Sequence, residues 1–261
     1  MTPLTGRRAL VCGSTQGIGR ASAEAIATAG AEVVLLARDP DKLRTVRNEL
    51  PARDGLQHDI LVADFSRPDS VRAVVTRYLE AHPGFEILVN NTGGPPGGAI
   101  FDATEAAFRA AFEMHLFCNH VLVQALVPGM KSAGYGRIIN IISTSVREPI
   151  KGLGVSNTTR GAVASWAKTL SRELGPFGIT VNNVLPGYTR TGRLAQVIND
   201  RAAAAGQPAD AIEHAMIADI PLGRFAAPEE LGAVVAFLAS PAASYITGVS
   251  LPVDGGRLSS L

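Results

Sequence analysis

The sequence predicts an α/β fold, a single doubly wound parallel sheet of about seven strands with helices on both faces. Three observations predict it. Short apolar runs recur along the 261 residues with helical patterns between them. The runs are mostly continuous in apolarity rather than alternating, as strands buried on both faces must be. A glycine-rich turn, Gly13 to Arg20, joins the first run to the first helical stretch. With 46% apolar residues the chain can bury a large core. An α/β fold often uses this length as one unit, so one domain is expected over residues 1–261.

The first strand is Ala9 to Cys12, and "GSTQGIGR" follows it, leading into the helix "ASAEAIATAG" that ends at Gly30. A tight glycine turn that opens a helix can bring Gly13, Ser14, Thr15, Gln16, Gly17, Ile18 and Gly19 against a pyrophosphate at the positive helix end. It is not a Walker A loop, because Gly19 is followed by Arg20 instead of Lys and Ser or Thr. Taken alone, the turn would also suit a plain strand-to-helix connection.

The second strand, Glu32 to Ala37, ends at Arg38, where a dinucleotide site needs its ribose reader. An acid there would bond the 2′-hydroxyl of NAD, whereas an arginine fork suits the 2′-phosphate of NADP. NADP is therefore favoured over NAD, with an ordinary solvated arginine as the alternative for Arg38. Asp39, directly before Pro40, is explained as the N-cap of the next helix.

Ile60 to Ala63 is the third strand, with Asp64 and Phe65 at its end, and Ser66 to Asp69 resembles a capping box for the helix beyond. Ile87 to Asn90 is the fourth, leading into Asn91, Thr92, Gly93 and Gly94. An apolar helix from Ala106 to Val127 carries His115, and the fifth strand, Ile138 to Ile142, runs into Ser143. In "GLGVSNTTRGAV", residues 152–163, Ser156 and Arg160 stand four apart and so share one helix face.

Thr180 to Leu185 is the sixth strand, followed by Pro186, Gly187 and Tyr188. The segment from Thr191 to Asp219, alanine-rich at Arg201 to Ala205, is read as a helical insertion that covers a site as a lid. Ala227-Pro228-Glu229-Glu230 starts the last helix, and Val249 to Val253 is the seventh strand.

Composition excludes several function classes. The 24 basic and 23 acidic residues leave a net charge of +1, which argues against a surface built for nucleic acid or anionic lipid. Cys12 and Cys118 fit no metal-ligand spacing and are too few for a disulfide scaffold, so no metal and a reducing, cytoplasmic setting are expected. The N-terminus lacks a signal-peptide core, and no segment offers about 18 uninterrupted apolar residues, which predicts a soluble protein with no membrane partner.

Six motifs then fall in order: "LVADF", "NNTGG", "GRIINIIS", "GITVNNVLPGYTRT", "PLGRFAAPEEL" and "ITGVSLPVDGG". Together with the glycine turn they resemble the short-chain dehydrogenase/reductase family over essentially the whole chain, in the manner of its 3-oxoacyl-(acyl carrier protein) reductase-like members. The resemblance implies a Rossmann-type subunit that binds NAD(P). It places Asp64 and Phe65 near the adenine and has Asn90 and its neighbours Thr92 and Gly93 support the central strand and the cofactor. Pro186, Gly187, Thr189 and Thr191 would lie near the nicotinamide and phosphates.

Members of that family reduce carbonyls or oxidise alcohols with a Ser, a Tyr, a Lys four residues after the Tyr, and an Asn on an earlier helix. Ser143 holds the first position, but Ser156 stands in the Tyr place, Arg160 in the Lys place and His115 in the Asn place. A serine hydroxyl is a far weaker acid than a phenol, and an arginine, with a pKa above about 12, cannot readily pass a proton. Arg160 can still hold the nicotinamide ribose. Two residues could supply the missing acid: His115, with a reference pKa near about 6.5, and Tyr188. Plainer readings stand beside four of these roles: His115 as a bonded core residue, Tyr188 as a pocket wall, Ser143 as a strand-end turn and Ser156 as a helix cap.

The expected function is NAD(P)-dependent reduction of a carbonyl, or oxidation of an alcohol, on a small or medium substrate with an atypical proton donor. A cofactor-binding or regulatory protein that has lost hydride chemistry, and a non-redox acid/base enzyme, stay open. The resemblance further implies a homodimer or homotetramer, assembled through the helices that bear His115 and Arg160.

Overall fold

The computed structural model describes residues 4–51 and 55–260. Its seven strands are β1 (Arg8–Cys12), β2 (Glu32–Ala37), β3 (Asp59–Val62), β4 (Ile87–Asn90), β5 (Gly136–Ile141), β6 (Ile179–Pro186) and β7 (Ser250–Val253). They form one sheet in the order β3-β2-β1-β4-β5-β6-β7, and every pairing is parallel. Each expected strand is present, displaced by at most two residues at an end. The order in which the chain adds strands reverses between β1 and β4, and that is where an open α/β sheet leaves a crevice beyond its strand ends.

The helices are α1 (Gly17–Thr28), α2 (Pro40–Glu49), α3 (Pro68–Ala81), α4 (Glu105–Phe112), α5 (Cys118–Ala133), α6 (Gly154–Leu174), α7 (Gly192–Ala205), α8 (Ala209–Ala218) and α9 (Pro228–Ala239). Continuous apolar strands serve both faces because successive side chains point in opposite directions. In β1, Ala9 and Val11 enter a core with Ile26 of α1, Leu43 of α2 and Val235 of α9. Leu10 and Cys12 enter the opposite core, with Val75 of α3, Leu122 of α5 and Ala167 of α6. The two cysteines are free and buried.

Helix starts follow the chemistry of their first turns, with one correction. Asp39 caps α2, its Oδ1 accepting from the Asp41 and Lys42 N–H groups at 3.1 Å each, and Pro40 occupies the first turn. At α9 the Glu230 carboxylate accepts from the Ala227 N–H at 2.8 Å. The capping box expected at Ser66 to Asp69 does not form. Arg67 is the N-cap of α3 and no side chain bonds there, because Pro68 sets the helix start and the Ser66 N–H instead donates to Asp64 Oδ1 at 2.9 Å.

The helix expected over Ala106 to Val127 runs longer and is interrupted. Between α4 and α5 one wide turn of π-helix, Glu113–Phe117, carries His115. Glu105–Ala133 is a 29-residue run long and apolar enough by length and composition to cross a membrane, with half of its apolar window buried in this fold. Beyond β6, α7 and α8 pack around a small apolar cluster of their own, formed by Leu194, Ile198, Met216, Ile220 and Phe225.

A ladder of amides crosses the sheet below the crevice. Asn90 Nδ2 donates to Asn140 Oδ1 at 2.8 Å, Asn140 Nδ2 to Asn183 Oδ1 at 2.9 Å, and Asn183 Nδ2 to Ser250 Oγ at 3.1 Å. Four strands are thereby tied by side chains as well as by backbone.

Candidate active site

A cavity of about 580 Å³ opens at the ends of the strands. Its wall begins at the glycine turn, where Gly13 and Gly17 take φ of +57° and +55°, a region that side chains rarely adopt. A Cβ at Gly19 would collide with the Gly13 carbonyl oxygen. Asn91 Nδ2 fastens the turn from the next strand end, donating to the Cys12 and Gly13 carbonyls at 3.3 and 3.2 Å. Gln16 gives α1 no side-chain cap, and the first turn holds no acid. The first amides of α1 are therefore left to an anionic ligand.

Of the glycine-turn residues singled out in the sequence, Gly13, Thr15, Gln16, Gly17 and Ile18 line the cavity, and Ser14 and Gly19 do not. Ser14 is fully buried, and Gly19 serves the close approach of turn to helix. At one end, Arg38, Asp64 and Phe65 line the wall together. Hydrogen bonding to the Ser66 N–H draws the Asp64 carboxyl below its ordinary range, and the nearby charges of Arg38 and Arg67 add to this. Thr92, Gly93, Pro186, Gly187, Thr189 and Thr191 also line it. Asn90 does not: its amide is committed to the ladder and its side chain is buried. Asn91 faces the cavity in its stead.

The other end gathers Ser143, Ser156, Arg160 and Tyr188. Ser143 Oγ accepts from the Ser145 N–H at 3.0 Å, so this hydroxyl both caps the turn and lines the cavity. Ser156 does not cap its helix. It lies inside the first turn of α6, whose N-cap is Leu153. Arg160, one turn on, is buried and donates from Nη1 to the Ile141 carbonyl at 3.0 Å. Burial, reinforced by the charge of Arg193, lowers its pKa to about 10.

His115 departs from expectation. It is 4% exposed and lies outside this cavity. Its Nδ1 sits 2.7 Å from Thr92 Oγ1, and its Nε2 has no partner among the described residues. Burial first, and then the charge of Arg160, lowers its pKa to about 3. At neutral pH it is an uncharged imidazole behind the cavity wall, which removes it as the acid that meets a substrate.

Three charged cavity residues are not among the sites expected from the sequence: Arg193 and Arg201 on α7, and Arg257 in the C-terminal tail. Arg201 Nη1 donates to Tyr188 Oη at 3.4 Å, and the Arg257 guanidinium stands 4.7 Å from the centre of the Tyr188 ring. Arg193 Nη2 donates to the Pro95 carbonyl at 2.8 Å. No spacing rule announces such residues, because α7 and the C-terminal tail meet only in the folded chain.

Residues 13–257 match the family model described as enoyl-(acyl carrier protein) reductase. The chain is 32% identical to the 3-oxoacyl-[acyl-carrier-protein] reductase of Vibrio cholerae serotype O1, over 97% of this chain and 98% of that one. Among solved structures it is similar to L-sorbose reductase from Gluconobacter frateurii complexed with NADPH and L-sorbose. That likeness has a TM-score of 0.92, at 32% identity over 100% of this chain and 99% of the other. A 3-oxoacyl-(acyl-carrier-protein) reductase from Agrobacterium tumefaciens C58 with NADP bound gives 0.87, at 27% identity over 98% of this chain and 95% of the other. Sheet order, glycine turn and ordered motifs agree with these likenesses, and the chain belongs to the short-chain dehydrogenase/reductase family of NAD(P)-dependent oxidoreductases.

Proposed function

We propose that the protein is an NADP-dependent reductase of small or medium carbonyl compounds, able to run in reverse as an alcohol dehydrogenase, with Tyr188 as its proton donor. One observation carries this reading. A single cavity joins the glycine turn and Arg38 at one end to Ser143, Ser156, Arg160 and Tyr188 at the other. The uncapped start of α1 fits a pyrophosphate, and the exposed fork of Arg38 fits a 2′-phosphate, which favours NADP over NAD. When bound, the nicotinamide cofactor supplies the hydride.

The chain's own groups do the rest. The Ser143 and Ser156 hydroxyls hold the substrate oxygen, and Arg160, fixed by the Ile141 carbonyl, presents its remaining N–H groups to the ribose. Tyr188 gives its phenolic proton to the developing alkoxide. Arg201, donating to the same oxygen, stabilises the phenolate left behind. Helices α7 and α8 act as the lid over this end and exclude water. We read the chain as one domain that works as a soluble, cytoplasmic homodimer or homotetramer, with no nucleic-acid, membrane or metal partner.

The test is NADPH oxidation by the purified protein across a panel of carbonyl compounds, repeated with Tyr188→Phe. Turnover with the wild type and a loss of kcat of about 10²-fold or more in the variant are expected, at unchanged NADPH affinity. Turnover undiminished in Tyr188→Phe overturns the assignment of the donor, and no turnover of any carbonyl or alcohol overturns the reading itself.

A further inference from the structure

The charge lining the substrate end of the cavity is one-sided. Arg160, Arg193, Arg201 and Arg257 all face it, and among the described residues the one acid in its lining is Asp64, at the opposite end beside Arg38. Among the described residues no carboxylate lies within ion-pair distance of any of the four. The cofactor does not account for them all. Its phosphates belong with the glycine turn and Arg38, and a nicotinamide ring brings no negative charge.

Arg257 is the most informative of the four. The tail that carries it is held by two carboxylates that could have paired with it and bond backbone instead. Asp254 accepts from the Gly256 N–H at 3.0 Å and the Leu258 N–H at 2.9 Å. Glu148 accepts from the Ser259 and Ser260 N–H groups at 2.9 and 2.8 Å. The guanidinium is thereby set against the Tyr188 ring, with a buried Nε that finds no acceptor among the described residues. Arg201 approaches the same tyrosine at its hydroxyl. A buried donor without an acceptor is costly, and a planar guanidinium matches the two oxygens of a carboxylate or phosphate.

We infer that the substrate is an anion: a carbonyl compound carrying a carboxylate or phosphate, which Arg257 grips beside Tyr188 while Arg193, from the first turn of α7, closes over it. This rests on the reductase reading of the same cavity. The grip places the anionic group on the tail side and directs the carbonyl toward Ser143, Ser156 and the Tyr188 hydroxyl. Uncharged carbonyl compounds would enter but would not be oriented.

Matched pairs test it: 4-oxopentanoate against its methyl ester, and dihydroxyacetone phosphate against dihydroxyacetone, each with saturating NADPH. One anion of the two is expected to exceed its neutral partner by about tenfold or more in kcat/KM, as a charge-assisted bond to a partly buried arginine implies. The favoured pair tells carboxylate from phosphate. Arg257→Gln and Arg193→Gln should flatten that ratio toward one with NADPH affinity within about twofold of wild type, and Arg257→Lys should restore part of it as a charge without the fork. Neutral partners favoured in both pairs, or a ratio that survives Arg257→Gln, overturns the inference.

If no carbonyl turns over, the reductase reading fails and the anion site is judged by calorimetric titration of the NADP⁺-saturated protein with the same pairs. Binding of an anion about tenfold tighter than its neutral partner, lost in Arg257→Gln, sustains the site. Equal binding overturns it.

Discussion

His115 illustrates how a residue that reads as a catalytic candidate becomes a structural one. Its position after Met114 in an apolar helix gives no hint of the wide π-turn that draws it behind the wall and against Thr92. Burial lowers its pKa to about 3, from about 6.5 in an unfolded chain. Below the unfolded value the denatured chain binds a proton that the native protein refuses, so stability falls as pH drops from about 6.5 toward 3, by up to about 1.4 kcal/mol per unit. Urea denaturation should show wild type losing about 2 kcal/mol more than His115→Gln between about pH 7 and pH 5. Equal losses would mean that His115 is charged in the native state. Arg38, by contrast, was legible from its place at a strand end. Arg38→Asp should weaken NADPH binding by about tenfold or more and leave NADH binding nearly unchanged, as read by fluorescence titration. Equal loss of both would remove it as the phosphate reader.

Helices and strands were legible to different degrees. Strand centres such as Val33 to Leu36 are fixed by continuous apolarity. Their ends drift because a polar residue such as Arg8 or Asp59 can still join the backbone ladder. The false capping box at Ser66 shows a proline outweighing a favourable side chain, and Ser156 shows a helix that begins two residues before a candidate cap. Packing between elements was not legible at all. Gly232 of α9 rests on α1 so closely that a Cβ would stand 2.5 Å from the Ala21 carbonyl oxygen. Gly232→Val therefore forces the two helices apart. It should lower stability by about 1–3 kcal/mol in urea titration, with the cofactor site reached only through the displacement of α1. A variant as stable as wild type would show that the pair can separate freely.

Across the whole molecule, the geometry of the cofactor half was open to reading because each element there is local: a strand, a turn, a helix start. The substrate half was open only in part: Ser143, Ser156, Arg160 and Tyr188 stand at strand ends or a helix start, whereas Arg193, Arg201 and Arg257 come from α7 and the C-terminal tail, which approach one another only when the sheet is complete. The helix face that carries His115 inward turns Phe117 outward, half exposed, with its ring 6.5 Å from that of Phe112. An exposed phenylalanine backed by a half-buried one on a long apolar helix is suited to burial against a second copy. Light scattering should give a mass that is a multiple of the chain's own, and Phe117→Glu should shift it toward the monomer by setting a charge in the contact. A wild type that is monomeric at micromolar concentration would sink the proposal, and so would a variant that keeps its full mass, since a contact centred on this face could not absorb an unpaired carboxylate.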